Sequence, residues 1–275
     1  MKIVKETFFS PVTRTSLSLI QNFRLMISLF RREIMEKHAG QFLGWIWMLI
    51  HPLVFISVYL FLFTIVFQAK VPEQAGDLNY TVFMLSGLVP WLFTQQAANI
   101  SVSSISDSKD LIKQVVFPLE IMPVKAILAA SPGFVFSLFI LFGYMAFSNS
   151  APGLGILLLP IALFFHILFL IGCALLVSIV GVYVRDLKEI IQLIMFVGTF
   201  VAPIFYLVEW IPKSMQILIY LNPFSHIVIV YRDVLLYGDV VHPWSWLIFA
   251  LLSVGVYIFG TRFFQWAKHY IGDML

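Results

Sequence analysis

The stretch Gly44-Trp45-Ile46-Trp47-Met48-Leu49-Ile50-His51-Pro52-Leu53-Val54-Phe55-Ile56-Ser57-Val58-Tyr59-Leu60-Phe61-Leu62-Phe63-Thr64-Ile65-Val66-Phe67 contains no Asp, Glu, Lys or Arg. A helix that crosses a bilayer needs roughly 20 mainly apolar residues, because the hydrocarbon layer is about 30 Å thick. This stretch meets that length, and the rest of the chain resembles it. Of 275 residues, 61% are hydrophobic and 11% charged, with a mean hydropathy of +0.96. Soluble domains run at about 45–50% apolar and about 25% charged. So few polar groups could not cover a soluble globule of this size, so the solvent is lipid. Water-soluble enzymes and disordered chains are excluded on this ground. A net charge of +3, dispersed along the chain, gives nucleic acid nothing to bind.

Working outward, five more stretches meet the same test: residues 80–98, 126–147, 156–184, 190–208 and 244–264. The expected fold is an all-α integral membrane protein of six transmembrane helices. It forms a single domain, with an N-terminal segment 1–43, a six-span bundle 44–264 and a tail 265–275. Basic residues orient the spans. Lys2, Lys5, Arg14, Arg24, Arg31, Arg32 and Lys37 precede the first. Lys109, Lys113 and Lys125 lie between the second and third, Arg185 and Lys188 between the fourth and fifth, and Arg262 and Lys268 at the C-terminal end. These make 14 of the 17 basic residues, against Lys70, Lys213 and Arg232 on the other side. By the positive-inside rule, both termini are expected in the cytoplasm.

Between residues 209 and 242, two apolar pieces (215–221 and 227–236) flank Asn222-Pro223, and each is too short to span. They read as two short re-entrant helices before the last span, since a true seventh span would put the C-terminus outside. Residues 17–34 alternate apolar side chains with Arg24, Arg31, Arg32 and Glu33, the pattern of an amphipathic helix lying in the interface. Either an anchor or a gating element fits it. The N-terminus lacks an apolar core ending in a small-residue cleavage site, so no cleaved signal peptide is expected. Cys173 stands alone and reads as a packing residue, and no Cys/His set has metal-ligand spacing.

The sequence contains no phosphate-binding G-x-x-x-x-G-K-[ST] loop and no G-x-S-x-G elbow. Nor does any span carry the carboxylate pair of a proton relay. If the chain moves a solute, another protein must supply the energy. His51, directly before Pro52, reads either as a substrate contact or as a hydrogen bond to backbone freed by the proline. His166 reads as a satisfied core histidine with no polar companion. Trp47, His51, Phe55, Tyr59, Phe63 and Phe67 recur every four residues, so they form one slowly spiralling stripe. Sugar rings stack their C–H faces on such rings. The other reading is that the rings face lipid or lie in interfacial belts.

Four motifs in order resemble the permeases of polysaccharide-exporting ABC transporters (the ABC-2 type). They are Arg31-Arg32-Glu33 followed by Gly44-Trp45-Ile46-Trp47 and His51-Pro52-Leu53; Asp110-Leu111-Ile112-Lys113 leading to Phe117-Pro118-Leu119-Glu120-Ile121-Met122-Pro123; Tyr183-Val184-Arg185-Asp186-Leu187 with Ala202-Pro203-Ile204-Phe205-Tyr206; and Leu221-Asn222-Pro223-Phe224 with Tyr231-Arg232-Asp233. Asp110 and Leu119 stand where that family often has Asn and a basic residue. The resemblance implies a homodimer in the bacterial inner membrane, docked on two copies of a cytoplasmic ABC ATPase subunit that binds ATP and Mg. This chain itself would hold no catalytic residue, cofactor or metal.

The implied cargo is a polyprenyl-pyrophosphate-linked polysaccharide, O-antigen first, with capsular polymer or teichoic acid as alternatives. The first, second and fifth spans would line a channel, with Phe55, Tyr59, Phe63, Phe205 and Tyr206 facing it. Arg31 and Arg32 would meet the pyrophosphate, since guanidinium forks match phosphate oxygens, though they would equally snorkel to phospholipid. Asp107, Lys109, Asp110 and Lys113 in one loop, and Arg185 and Asp186 in another, would couple to the ATPase. Two other classes remain: an ABC-2 permease for a small hydrophobic solute, and a membrane-embedded glycosyl- or acyltransferase.

Overall fold

A computed structural model describes residues 10–37, 41–68, 79–114, 118–148, 150 and 153–270. Among these the regular structure is helical, with no strand. Two helices, α1 (Ser10–Gln21) and α2 (Phe23–Lys37), open the chain where the amphipathic pattern called for one. Asn22 divides them and ties the join by donating from its side chain to the Ser18 carbonyl at 2.8 Å. The first long apolar helix is α3 (Trp47–Leu60), entered through a single 3-10 turn at Gly44–Ile46 and prolonged by π-helical turns at Phe61–Val66. Next come α4 (Tyr80–Ser103), a short α5 (Lys109–Gln114) and α6 (Ile121–Phe147). The rest are α7 (Leu159–Tyr183), α8 (Leu187–Val201), α9 (Lys213–Leu221), α10 (Pro223–Arg232) with π-helical turns to Tyr237, and α11 (Pro243–Ala267).

Four of these segments are long and apolar enough to cross a membrane: Gly44–Val66, Ile121–Phe147, Leu154–Tyr183 and Pro243–Tyr270. The count rises to five if Lys213–Leu221 and Pro223–Tyr237, which meet at 94°, are one broken span. Two expected spans differ from this pattern for physical reasons. Helix α4 is long enough, but it carries Ser, Thr, Gly, Gln and Asn and lies among α6, α7, α8 and α10. Val82, Phe83, Met84, Leu85, Leu88 and Val89 are all buried. A helix enclosed by protein does not need lipid-grade hydropathy, and one enclosed on so many sides has little face left to line a channel. The stretch 190–208 is helical only to Val201, because Pro203 has no amide hydrogen to continue the helix and pushes Ala202 to an extended ψ of 142°. At about 1.5 Å per residue, the 15 residues of α8 reach only about 22 Å.

Small residues set the closest helix contacts. A Cβ on Gly172 of α7 would strike the backbone at Val256 and Tyr257 of α11, and one on Gly260 would strike Gly172 in return. In lipid, where apolar surface gives helices no reason to prefer each other, this close backbone approach supplies the attraction. The α9–α10 corner is built from Asn222, whose Oδ1 accepts from the Phe224 amide at 3.1 Å, and from Pro223 at the first helical position.

Candidate functional site

The consecutive residues Tyr231, Arg232 and Asp233 are all buried, and each joins its helix to a different part of the bundle. The Tyr231 hydroxyl lies 3.0 Å from His166 Nδ1, and His166 Nε2 lies 2.9 Å from Thr94 Oγ1. His166 of α7 thus links α10 to α4. It is a satisfied core histidine, as its sequence context suggested, but two polar partners accompany it where none was expected. Arg232 donates from Nη2 to the Ile204 carbonyl at 2.7 Å, and its guanidinium carbon sits 3.7 Å over the Phe83 ring. Asp233 accepts from the His242 amide at 2.9 Å, from Trp246 Nε1 at 3.0 Å, and contacts His242 Nδ1 at 2.7 Å. These bonds pin the start of α11 to the end of α10.

The Ile204 bond positions an aromatic cluster. Phe205, the next residue, is buried and stacks on Phe63 at 4.4 Å between centroids, 5° from parallel, while Tyr59 lies 5.0 Å away. Tyr80 donates its hydroxyl to the Phe205 carbonyl at 3.0 Å, and Phe200 of α8 completes the group at 6.2 Å. The structure therefore brings Tyr59, Phe63 and Phe205 together, and adds Tyr80, which no sequence pattern singled out. Phe55 belongs to a different surface: it is 53% exposed on α3. Tyr206 donates to the Val201 carbonyl at 2.6 Å, closing the broken end of α8. His51 is exposed and meets Trp47 edge-on at 5.6 Å.

A second feature lies at the other end of α4. A polar cavity of about 440 Å³ is lined by Arg32 and Glu33 of α2, by Asp107 of the α4–α5 turn and Asp110 of α5, and by Lys125 of α6. Glu33 Oε2 lies 2.6 Å from Lys125 Nζ, which is largely buried. Asp107 accepts from the Ser103 hydroxyl at 2.6 Å. Arg32, expected on sequence to meet the pyrophosphate, and Asp107 and Asp110, expected to couple to the ATPase, thus line one space. Arg31 is exposed on α2, and Lys113 is exposed on α5 with Lys109 half-buried. Arg185 and Asp186 sit exposed in the separate turn between α7 and α8. Of the motif around Pro118, residues 115–117 lie outside the described residues. Among the described residues no group of His, Cys, Asp and Glu could hold a metal.

A multi-pass helical bundle with broken helices on one side and a polar, charge-lined cavity on the other is the membrane part of a transporter. The chain belongs to the ABC-2 type transporter family, which it matches over residues 24–236. It is similar to the O-antigen export system permease protein RfbA of Klebsiella pneumoniae, 24% identical over 90% of this chain and 95% of that protein. It is 27% identical to RfbA of Myxococcus xanthus over 78% of this chain and 82% of the relative. The polysialic acid transport protein KpsM of Escherichia coli is 23% identical, with 86% and 92% covered. Members of this family are permease subunits and not enzymes, and they work with a separate ATPase subunit.

Proposed function

We propose that this chain is the permease of a polysaccharide exporter, and that its cargo is a lipid-linked O-antigen moved from the cytoplasmic side of the bacterial inner membrane. Two copies pair, each with a copy of the ATPase. The bundle makes six passes, counting α4 and the short α8, with α9 and α10 re-entrant and both termini cytoplasmic. The observation that carries this reading is the set of exposed aromatic rings on two helices, Phe55 on α3 and Phe196 and Phe200 on α8, with Phe200 lying against the cluster of Tyr59, Phe63 and Phe205. Faces of this kind suit the C–H faces of sugar rings, and the lack of charge lets a polymer slide. The similarity to RfbA over nearly the full length of both chains supports the cargo class.

Arg31 and Arg32 receive the pyrophosphate end, and the turn holding Asp107, Lys109, Asp110 and Lys113 takes the ATPase stroke together with Arg185 and Asp186. Arg32 and the acidic pair share one cavity, so substrate arrival and ATPase contact act on the same space. Capsular polymer is the second reading, supported by the similarity to KpsM. The test is a deletion of the gene in its own host, followed by separate measurement of surface polysaccharide and of the lipid-linked intermediate. Surface polymer should vanish while the lipid-linked pool accumulates inside. Normal surface polymer with an unchanged pool would overturn the reading, and loss of capsule alone would move it to the second.

A further inference from the structure

Helices α6 and α7 pack together, and each carries an apolar stripe at three- and four-residue spacing: Leu128, Ser131, Val135 and Phe139 on α6, and Ile171, Ile167 and Phe164 on α7. Val135, Phe139, Phe164 and Ile167 are exposed. At one end the seam deepens into a groove of about 540 Å³, closed over by the α1–α2 corner. Ile20, Phe23 and Ile167 form its exposed lip, while Met26 of α2, Phe93 of α4 and Ile127 of α6 are buried at its base. Ser131 is the one hydroxyl in the lining, and it already donates to the Leu128 carbonyl at 2.8 Å. The walls therefore offer a guest hydrocarbon contact alone.

Depth adds to this chemistry. The groove takes Val124 near the start of α6 and Ser131 further along it, about 5 and 15 Å from Ile121 at 1.5 Å per residue. On α7 it takes Ile171, about 18 Å from the neighbouring end at Tyr183. With half a hydrocarbon layer at about 15 Å, the groove runs from headgroup level to near the middle of the bilayer, the reach of one acyl chain. We infer that it holds an acyl chain of a phospholipid from the leaflet against which α1 and α2 lie. Apolar cavities take up apolar guests and not water, and this one is continuous with the exposed stripes of α6 and α7, so its guest comes from the bilayer. Its volume lies within the range of about 300–1,000 Å³ usual for small-ligand sites. The bound chain also gives the α1–α2 corner its support, because Ile20 and Phe23 are 72% and 52% exposed in the protein alone. The inference needs only a membrane-embedded chain and is independent of the cargo.

The test uses full-length protein in nanodiscs containing phosphatidylethanolamine with a photoactivatable diazirine on its acyl chain. After irradiation, the labelled residues are mapped by peptide mass spectrometry. Labelling at the buried Met26, Phe93 and Ile127 should exceed that at Val228 and Leu235, which are equally buried, several-fold, and should approach that of exposed Leu251. Labelling no higher than at Val228 overturns the inference in the wild type alone, whether the groove is then covered by a second copy or closed. Leu128→Trp, which fills the groove with an indole ring, should cut labelling of Met26 and Phe93 several-fold and leave Leu251 unchanged. Undiminished labelling in that variant overturns it too, since the reagent then arrives by another route. Loss of labelling on adding equimolar undecaprenyl diphosphate would also overturn it, by making the groove a site for a carrier lipid.

Discussion

Arg232 and Ile204, 28 residues apart, meet through one bond: the buried guanidinium donates to a main-chain carbonyl at 2.7 Å. That carbonyl follows Pro203, so no continuing helix turn is available to satisfy it. The arginine therefore caps a broken helix end, and Phe83 supports its face. Space for the arrangement comes from Gly87, where a Cβ would press on Val228 and approach both Arg232 and Ile204.

Arg232→Met should release Ile204 and with it Phe205. A hydrogen bond from a charged donor contributes about 1.5–3 kcal/mol, so thermal unfolding of the purified permease should shift down by several degrees and export should fall. Arg232→Lys, still a donor, should fall between. A methionine variant as stable and active as wild type would show that the bond positions nothing.

The chain Thr94–His166–Tyr231 ties three helices through a single imidazole. His166→Leu would leave the buried Tyr231 hydroxyl without its partner, at about 1–3 kcal/mol, while Thr94 keeps its bond to the Pro90 carbonyl at 2.9 Å. Thermal stability should drop, while Tyr231→Phe with His166→Leu should cost less than the sum of the two single changes. A double-variant cycle measures this directly, and strict additivity would mean that the groups are not coupled.

Glu33 and Lys125 join the amphipathic helix α2 to the start of α6 at 2.6 Å. Because Glu33 is partly open to solvent, the pair is worth less than a fully buried one, about 1–2 kcal/mol. Lys125→Ala should loosen α2, read as faster hydrogen exchange over residues 23–37 with little change in α7. The exchanged pair Glu33→Lys/Lys125→Glu should recover most of the protection. Failure of the exchange to recover any would assign the effect to packing of the lysine stem.

Phe55 and Phe63 separate stability from transport. Phe63 stacks on Phe205 and Phe55 faces outward, so Phe63→Leu should cost about 0.5–1.5 kcal/mol of stability and Phe55→Leu close to none. Both should lower surface polymer at equal protein level, and Phe55→Leu, Tyr59→Leu and Phe63→Leu together should lower it most. Normal export by the triple variant would return the stripe to lipid contact.

The choice of lipid as solvent, four of the six apolar spans, the corner at Asn222-Pro223 and the ordered motifs were all legible in the amino-acid sequence. Each depends on composition or on residues within a few positions of one another, where hydropathy and proline chemistry act directly. The same local rules carried the spacing of Phe55, Tyr59 and Phe63, but not which of them is covered. Only the tertiary structure decided that α4 is enclosed and α3 is open, because hydropathy measures how apolar a surface is and not what it faces. It also decided that His166 has partners 72 and 65 residues away, and that Arg32 shares a cavity with Asp107 and Asp110. Such meetings depend on how helices pack at glycine contacts such as Gly172 and Gly260, a property of the whole bundle that no single segment encodes.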